Sequence, residues 1–133
     1  MSTSLILDTH ALIEFVETDL SNDKLAIQLE RARKSGQLYV SSVSFWEIGL
    51  LISKGRIAIE DPIDWANQVV NISGIQIMHP SIQDMLTSTV LPDHHKDPFD
   101  RLIIAQAKAS KRTVVTRDAI FPRYRVSVLW QIK

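Results

Sequence analysis

Short apolar runs alternate with helical stripes along this chain. Leu5, Ile6 and Leu7 form an apolar run closed by Asp8, which predicts a buried strand. Leu12, Phe15 and Val16 follow at helical spacing. Leu25, Leu29 and Ala32 make a second stripe that stops near Gly36. Leu38, Tyr39 and Val40 predict a second strand. Ser44 then precedes a stripe of Phe45, Ile48, Gly49 and Ile52, with Gly55 as the stop. Asp61 and Pro62 open a helix bearing Ile63, Ala66 and Val70. Residues 75–78 predict a third strand. Ser81 caps a helix with Ile82, Met85, Leu86 and Thr89 on one face. After a loop over 91–96, Asp97 and Pro98 start a helix carrying Phe99, Leu102, Ile103 and Ala107. It is apolar on more than one side, as a well-buried helix is. Residues 113–115 and 126–129 predict the last two strands. Strands alternating with helices predict an α/β fold, a mostly parallel sheet of about five strands with helices on both faces.

The length of 133 residues fits one domain over 1–133, and no repeat or linker interrupts it. Apolar residues at 45% and charged residues at 23% exclude a disordered or fibrous chain. Fifteen basic and fifteen acidic side chains cancel, which argues against a protein that coats duplex DNA. The balance hides an asymmetry. Residues 1–66 carry 6 basic and 10 acidic side chains, and residues 67–133 carry 9 and 5. A local basic face suits a modest polyanion site, and equally a solvated surface. Cysteine is absent, which removes disulfides, zinc–thiolate sites and iron–sulfur clusters and fits a reducing compartment. No apolar run approaches the ~20 residues of a membrane span, and Met1 to Ser4 lack the positive flank of an export signal. A cytoplasmic protein is expected.

In a parallel sheet the ligand crevice lies beyond the carboxyl ends of the strands. Five acids fall there. Asp8 ends the first strand, Glu47 lies in the first turn after the second, and Asp118 follows the fourth. Asp97 and Asp100 open the helix before the fourth strand. Each also has a local explanation. Asp8 and Asp97 suit helix caps, Ser44 with Glu47 matches a capping box, Asp100 suits a helix dipole, and Asp118 suits a turn. Helix caps need not share one edge, however. Ionised carboxylates brought together raise one another's pKa unless a counter-charge is supplied. A divalent cation supplies it, and oxygen ligands favour Mg²⁺ or Mn²⁺ over zinc. Such an ion deprotonates water and stabilises a phosphodiester under attack, the equipment of a metal-dependent nuclease.

Four segments carry a family resemblance. They are Leu5–Leu12 (LILDTHAL), Ser41–Ile48 (SSVSFWEI) with Gly55–Ile57, Leu91–Ala107 (LPDHHKDPFDRLIIAQA) and Val114–Trp130 (VVTRDAIFPRYRVSVLW). In order and spacing they resemble the PIN domain, in particular the VapC-type toxin ribonucleases of bacterial type II toxin–antitoxin pairs. The resemblance covers essentially the whole chain. It implies a three-layer PIN-like fold and a Mg²⁺- or Mn²⁺-dependent endoribonuclease acting on RNA. It also implies a cognate antitoxin and a homodimer, the latter formed through an apolar patch on the early helices. The acids matching the family's metal site are Asp8, Glu47, Asp100 and Asp118, with Asp97 as an additional acid ranked below them. Thr9, Ser44 and Thr116 are expected to orient carboxylates. Arg101 is expected to form an ion pair or contact phosphate, and Arg117, with Arg123 and Arg125, to follow an RNA backbone or simply cover surface. Many relatives carry a Lys four residues after the Glu. Here that position is Leu51, and Lys54 comes three residues later, so substrate contact there is expected to differ.

His94 and His95 are expected in a solvated loop, and His10 at the border of the site. Trp46, Trp65 and Trp130 are chemically able to stack bases, but core or dimer packing suits Trp46 and Trp65 better. Two rival enzymes are set aside. A haloacid-dehalogenase-type phosphotransferase needs a second Asp where His10 stands, and a receiver domain needs paired acids at the first strand and a Lys after the last. The alternative that stays open is a PIN-like protein-binding module with little or no nuclease activity.

Overall fold

The computed structural model describes residues 4–17, 24–71 and 74–129. Five strands form one sheet: β1 (Leu5–Leu7), β2 (Leu38–Ser41), β3 (Gln76–Met78), β4 (Thr113–Val115) and β5 (Val128–Leu129). Their order is β3-β2-β1-β4-β5, and every pairing is parallel. The helices are α1 (Thr9–Glu17), α2 (Lys24–Lys34), α3 (Val43–Ser53), α4 (Pro62–Asn71), α5 (Ile82–Val90) and α6 (Pro98–Ser110). Among the described residues, no helix is long and apolar enough to cross a membrane.

The central strand β1 is buried along its whole length, as a parallel strand with both faces covered must be. Its side chains alternate between two cores. Leu5 and Leu7 join Leu12, Leu25, Leu29, Val40 and Ile48 on one face, against helices α1 to α3. Ile6 joins Ile103, Ile104, Val114 and Phe121 on the other, against α6. Three layers result. Gly36 and Gly55, at φ of 73° and 71°, provide the left-handed turns that end α2 and α3. In α6, residues 103–107 are all buried, which fits the apolar surround of that helix.

Several local expectations fail. The α4 stripe of Ile63, Ala66 and Val70 is not its inner face. Ile63 is 75% exposed and Val70 45%, while Val69 is buried and Trp65 packs edge-on against Phe45. The predicted face of α5 also meets water, with Ile82 and Leu86 exposed and no residue of the helix buried. Its start is as read, for Ser81 and Asp84 form a reciprocal capping box. On the early helices, Val16 and Ile27 are the exposed large apolar side chains among the described residues. The larger bare apolar surface is therefore on α5. The fifth strand is shorter than expected, covering 128–129 of 126–129, and a 3-10 turn over 121–124 that the pattern does not announce precedes it. Trp130 lies outside the described residues.

Candidate metal centre

The order of the sheet reverses beside β1, whose neighbours are β2 and β4. The topology opens a crevice at the carboxyl ends of β1 and β4. The register aligns those ends, with Leu7 opposite both Val40 and Val115. Whatever follows each strand therefore faces the same edge. A cleft of about 250 Å³ opens there, lined by Asp8, Asp100 and Asp118, with His10, Glu14 and Arg117 also on its walls.

Asp8 is 5% exposed and fixed by both carboxylate oxygens. Its Oδ1 accepts the Ala11 N–H at 2.8 Å, which caps α1. Its Oδ2 accepts the Thr116 hydroxyl at 2.5 Å. The helix-cap reading of Asp8 therefore holds alongside its place in the cleft. Thr116 Oγ1 in turn accepts the Asp118 N–H at 3.0 Å, and Asp118 Oδ1 accepts the Ile120 N–H at 2.9 Å. Asp118 is thus both a turn former and a cleft residue.

Glu47 reaches the group from α3. The capping box read from Ser44 and Glu47 does not form. Ser42 is the N-cap, with no side-chain cap bond, and Ser44 points inward to accept the Thr9 hydroxyl at 2.9 Å. Glu47 is left free of that duty. It is 7% exposed, and its Oε1 is buried with no hydrogen-bond partner. Asp97 does act as a cap. Its Oδ1 accepts the N–H groups of Phe99 at 2.8 Å and Asp100 at 3.3 Å.

Burial pushes the carboxyls of Asp8, Glu47 and Asp100 upward, because desolvation disfavours their charged forms. For Asp8 the Thr116 and Ala11 bonds pull the other way. For Glu47 the Thr9 hydroxyl opposes burial, while Asp97 and Asp8 reinforce it. Asp100 also feels Asp97, Glu47, Asp8 and Asp118, and is pushed up to about 8. A buried acidic group of this kind is one that a cation relieves. The donor set fits a hard divalent ion: Asp8, Asp100 and Asp118 line the cleft, and Glu47, near enough to raise Asp100, has a buried oxygen with no hydrogen-bond partner.

The remaining residues divide sharply. Arg101 forms the expected ion pair, with Nη1 4.0 Å from Asp93 Oδ1. Its guanidinium donates to the carbonyls of Ser88, Leu91, Pro92 and His95 at 2.8 to 3.1 Å, binding the loop before α6. Arg117 lies at the rim, 3.3 Å from Glu14. Trp46 is 66% exposed and meets Phe99 edge-on, so it is no core residue. His94 is exposed and stacks edge-on with Tyr124.

His95 overturns the expectation of a solvated loop. Its side chain is 14% exposed, and Nε2 lies 2.9 Å from both Asp100 Oδ2 and Asp118 Oδ2. These three residues bring donor atoms within 4.8 Å of one another. The sequence offers no periodicity across 91–96 to reveal this. The placement depends on Arg101 and on Tyr124, whose hydroxyl accepts the His95 N–H.

A model of the PIN domain matches residues 5–126, so the chain belongs to the PIN domain family. Members of that family are generally nucleases and typically bind divalent metals. The fold recurs in VapBC2 from Rickettsia felis bound to a DNA fragment from its promoter, at 18% identity and TM-score 0.69 over 96% of this chain and 98% of that one. It recurs in DNA-bound VapBC from Salmonella typhimurium, at 16% identity and TM-score 0.69 over 96% and 97% of the two chains. FitAcB from Neisseria gonorrhoeae shares it at 18% identity and TM-score 0.67 over 95% and 96%. No curated protein matches the chain.

Proposed function

We propose that this chain is a metal-dependent endoribonuclease that hydrolyses RNA phosphodiester bonds, and the toxin of a toxin–antitoxin pair. The observation that carries the nuclease reading is Glu47 Oε1, a buried carboxylate oxygen without a partner in a group of acids. Leaving such an atom unsatisfied costs about 1–3 kcal/mol, more if it is charged, and a cation beside it would offset that cost. Asp8, Glu47, Asp100 and Asp118 hold Mg²⁺ or Mn²⁺, and Asp97 stays chiefly a helix cap. The bound ion would activate a water and neutralise charge on the phosphodiester. Thr116 orients Asp8, while Thr9, bonded to Ser44, favours the charged form of Glu47. Arg117, on the cleft wall, meets the RNA backbone.

The toxin reading is supported by the family and by the toxin–antitoxin complexes that share the fold. A cognate antitoxin would cover the acidic cleft with a basic group. A second copy of this chain would cover Ile82, Leu86 and Val90, one stripe of α5 left in water. A cytoplasmic location would suit an RNA substrate. The test is cleavage of a mixed single-stranded RNA pool by antitoxin-free protein with Mn²⁺, with EDTA, and by Asp8→Asn. Cleavage that needs both the metal and Asp8 is expected. A folded, metal-loaded protein that cuts nothing would favour the protein-binding role instead. Light scattering showing only monomer at micromolar concentration would remove the dimer.

A further inference from the structure

We propose that His95 is the positioning residue of this metal centre: it donates its Nε2–H to Asp100 and Asp118 together and so sets the spacing of two carboxylates from separate segments. The proposal rests on the metal-site reading above. Asp100 belongs to α6, whereas Asp118 belongs to the loop after β4. Two carboxylates in one cleft repel each other once both are ionised, as metal ligands must be, and a donor placed between them offsets that repulsion. His95 Nε2 stands there, at 2.9 Å from each.

The same distances would also suit adjacent donors around a metal, so the role of the ring turns on its tautomer. The Asp97 N–H points at His95 Nδ1, 3.2 Å away. An N–H needs an acceptor, so Nδ1 carries no proton and the ring holds its proton on Nε2. Ligation of a metal through Nε2 would require that proton to move to Nδ1, where it would face the Asp97 N–H, donor against donor. The ring is therefore a donor to the ligands and not itself a ligand. Second partners of this kind fix carboxylates and raise metal affinity without touching the ion.

The ring is also held rigidly. The His95 N–H donates to the Tyr124 hydroxyl at 2.6 Å, its carbonyl accepts from Arg101 at 3.0 Å, and Phe121 packs edge-on against the imidazole. Each bond reaches a different segment, so the loop, α6 and the 3-10 turn jointly aim Nε2. Asp100 and Asp118 keep their remaining lone pairs for the cleft.

Glutamine is the discriminating substitution. Its side-chain amide nitrogen is as many bonds from Cα as Nε2, whereas that of asparagine stops at the level of Nδ1. Mn²⁺ binding to the full chain, followed by electron paramagnetic resonance, should weaken roughly ten- to a hundred-fold in His95→Ala and His95→Asn. It should recover in His95→Gln. Nitrogen-15 spectra of the metal-free wild type should place the imidazole proton on Nε2. Spin-echo spectra of the Mn²⁺ form should lack a directly bound histidine nitrogen. Equal Mn²⁺ affinity in all variants, a proton on Nδ1, or a Mn–N coupling from His95 would each overturn the proposal. A wild type that binds no Mn²⁺ would remove the metal-site reading, and this one with it. A wild type that binds and a His95→Ala that binds equally would remove only the role of His95.

Discussion

The Thr116 hydroxyl donates to Asp8 Oδ2 and accepts the Asp118 N–H, so one oxygen ties the acid after β1 to the acid after β4. Thr116→Val keeps the shape and deletes both bonds. It should cost roughly 1–3 kcal/mol, because the Asp118 amide loses its partner in a part-buried place. Urea unfolding of the metal-free protein checks this, and an unchanged midpoint would show that water replaces the hydroxyl. Asp8→Asn separates function from folding in the opposite direction. An asparagine oxygen still accepts the Ala11 N–H, and the buried charge is gone. The metal-free variant should be at least as stable as wild type while losing cleavage. A variant that both unfolds and loses cleavage would make Asp8 structural first. These acids were legible in the sequence for a topological reason. A residue that directly follows a parallel strand, or opens the next helix, is delivered to the carboxyl edge whatever its neighbours do. His95 was not legible, because its place depends on bonds from Asp97, Arg101 and Tyr124, none of which leaves a period in the sequence.

Helix α6 and the loop before it act as one element because Arg101 gathers the carbonyls of that loop. Lysine has one nitrogen and cannot span those acceptors. Arg101→Lys should therefore destabilise the protein by roughly 2–4 kcal/mol, the scale of a broken buried network. It should also loosen His95 and weaken Mn²⁺ binding. A phosphate-contacting arginine would behave differently, since its loss lowers the salt dependence of RNA affinity. An unchanged salt slope with reduced stability is expected, and a reduced slope in a fully stable variant would restore the phosphate role. At this scale the hydrophobic pattern told much but not all. It found β1, β2, β4 and α6, whose apolar residues are surrounded. It found the stripe of α5 but not its destination, because amphipathicity says that a face is apolar and not what covers it. In α4 the inner face falls on Val69 and Trp65, since helix rotation is set by the fit to Phe45 and the α1–α3 core.

Taken as a whole, the fold keeps Asp8, Glu47 and Asp100 buried against their solvation, and this inverts the usual pH dependence of stability. The Asp100 carboxyl rises from 3.8 to about 8 on folding. Below pH 4 it is protonated in both states and contributes nothing. Between roughly pH 4 and pH 8 the unfolded chain has released this proton and the native protein has kept it. The native state then binds more protons, so metal-free stability falls as pH rises, and it levels off above about 8. The displacement is worth about 1.4 kcal/mol per pH unit, several kcal/mol for Asp100 alone. Asp8 and Glu47 add to the same slope, because burial raises both. The urea midpoint in EDTA should therefore drop between pH 5 and pH 8, and Asp100→Asn should flatten the decline. Saturating Mn²⁺ should restore the midpoint most strongly at pH 8, where the ion no longer competes with the Asp100 proton. A metal-free midpoint that climbs over this range would mean that other groups outweigh the acids. An Asp100→Asn slope equal to wild type would move the effect away from Asp100.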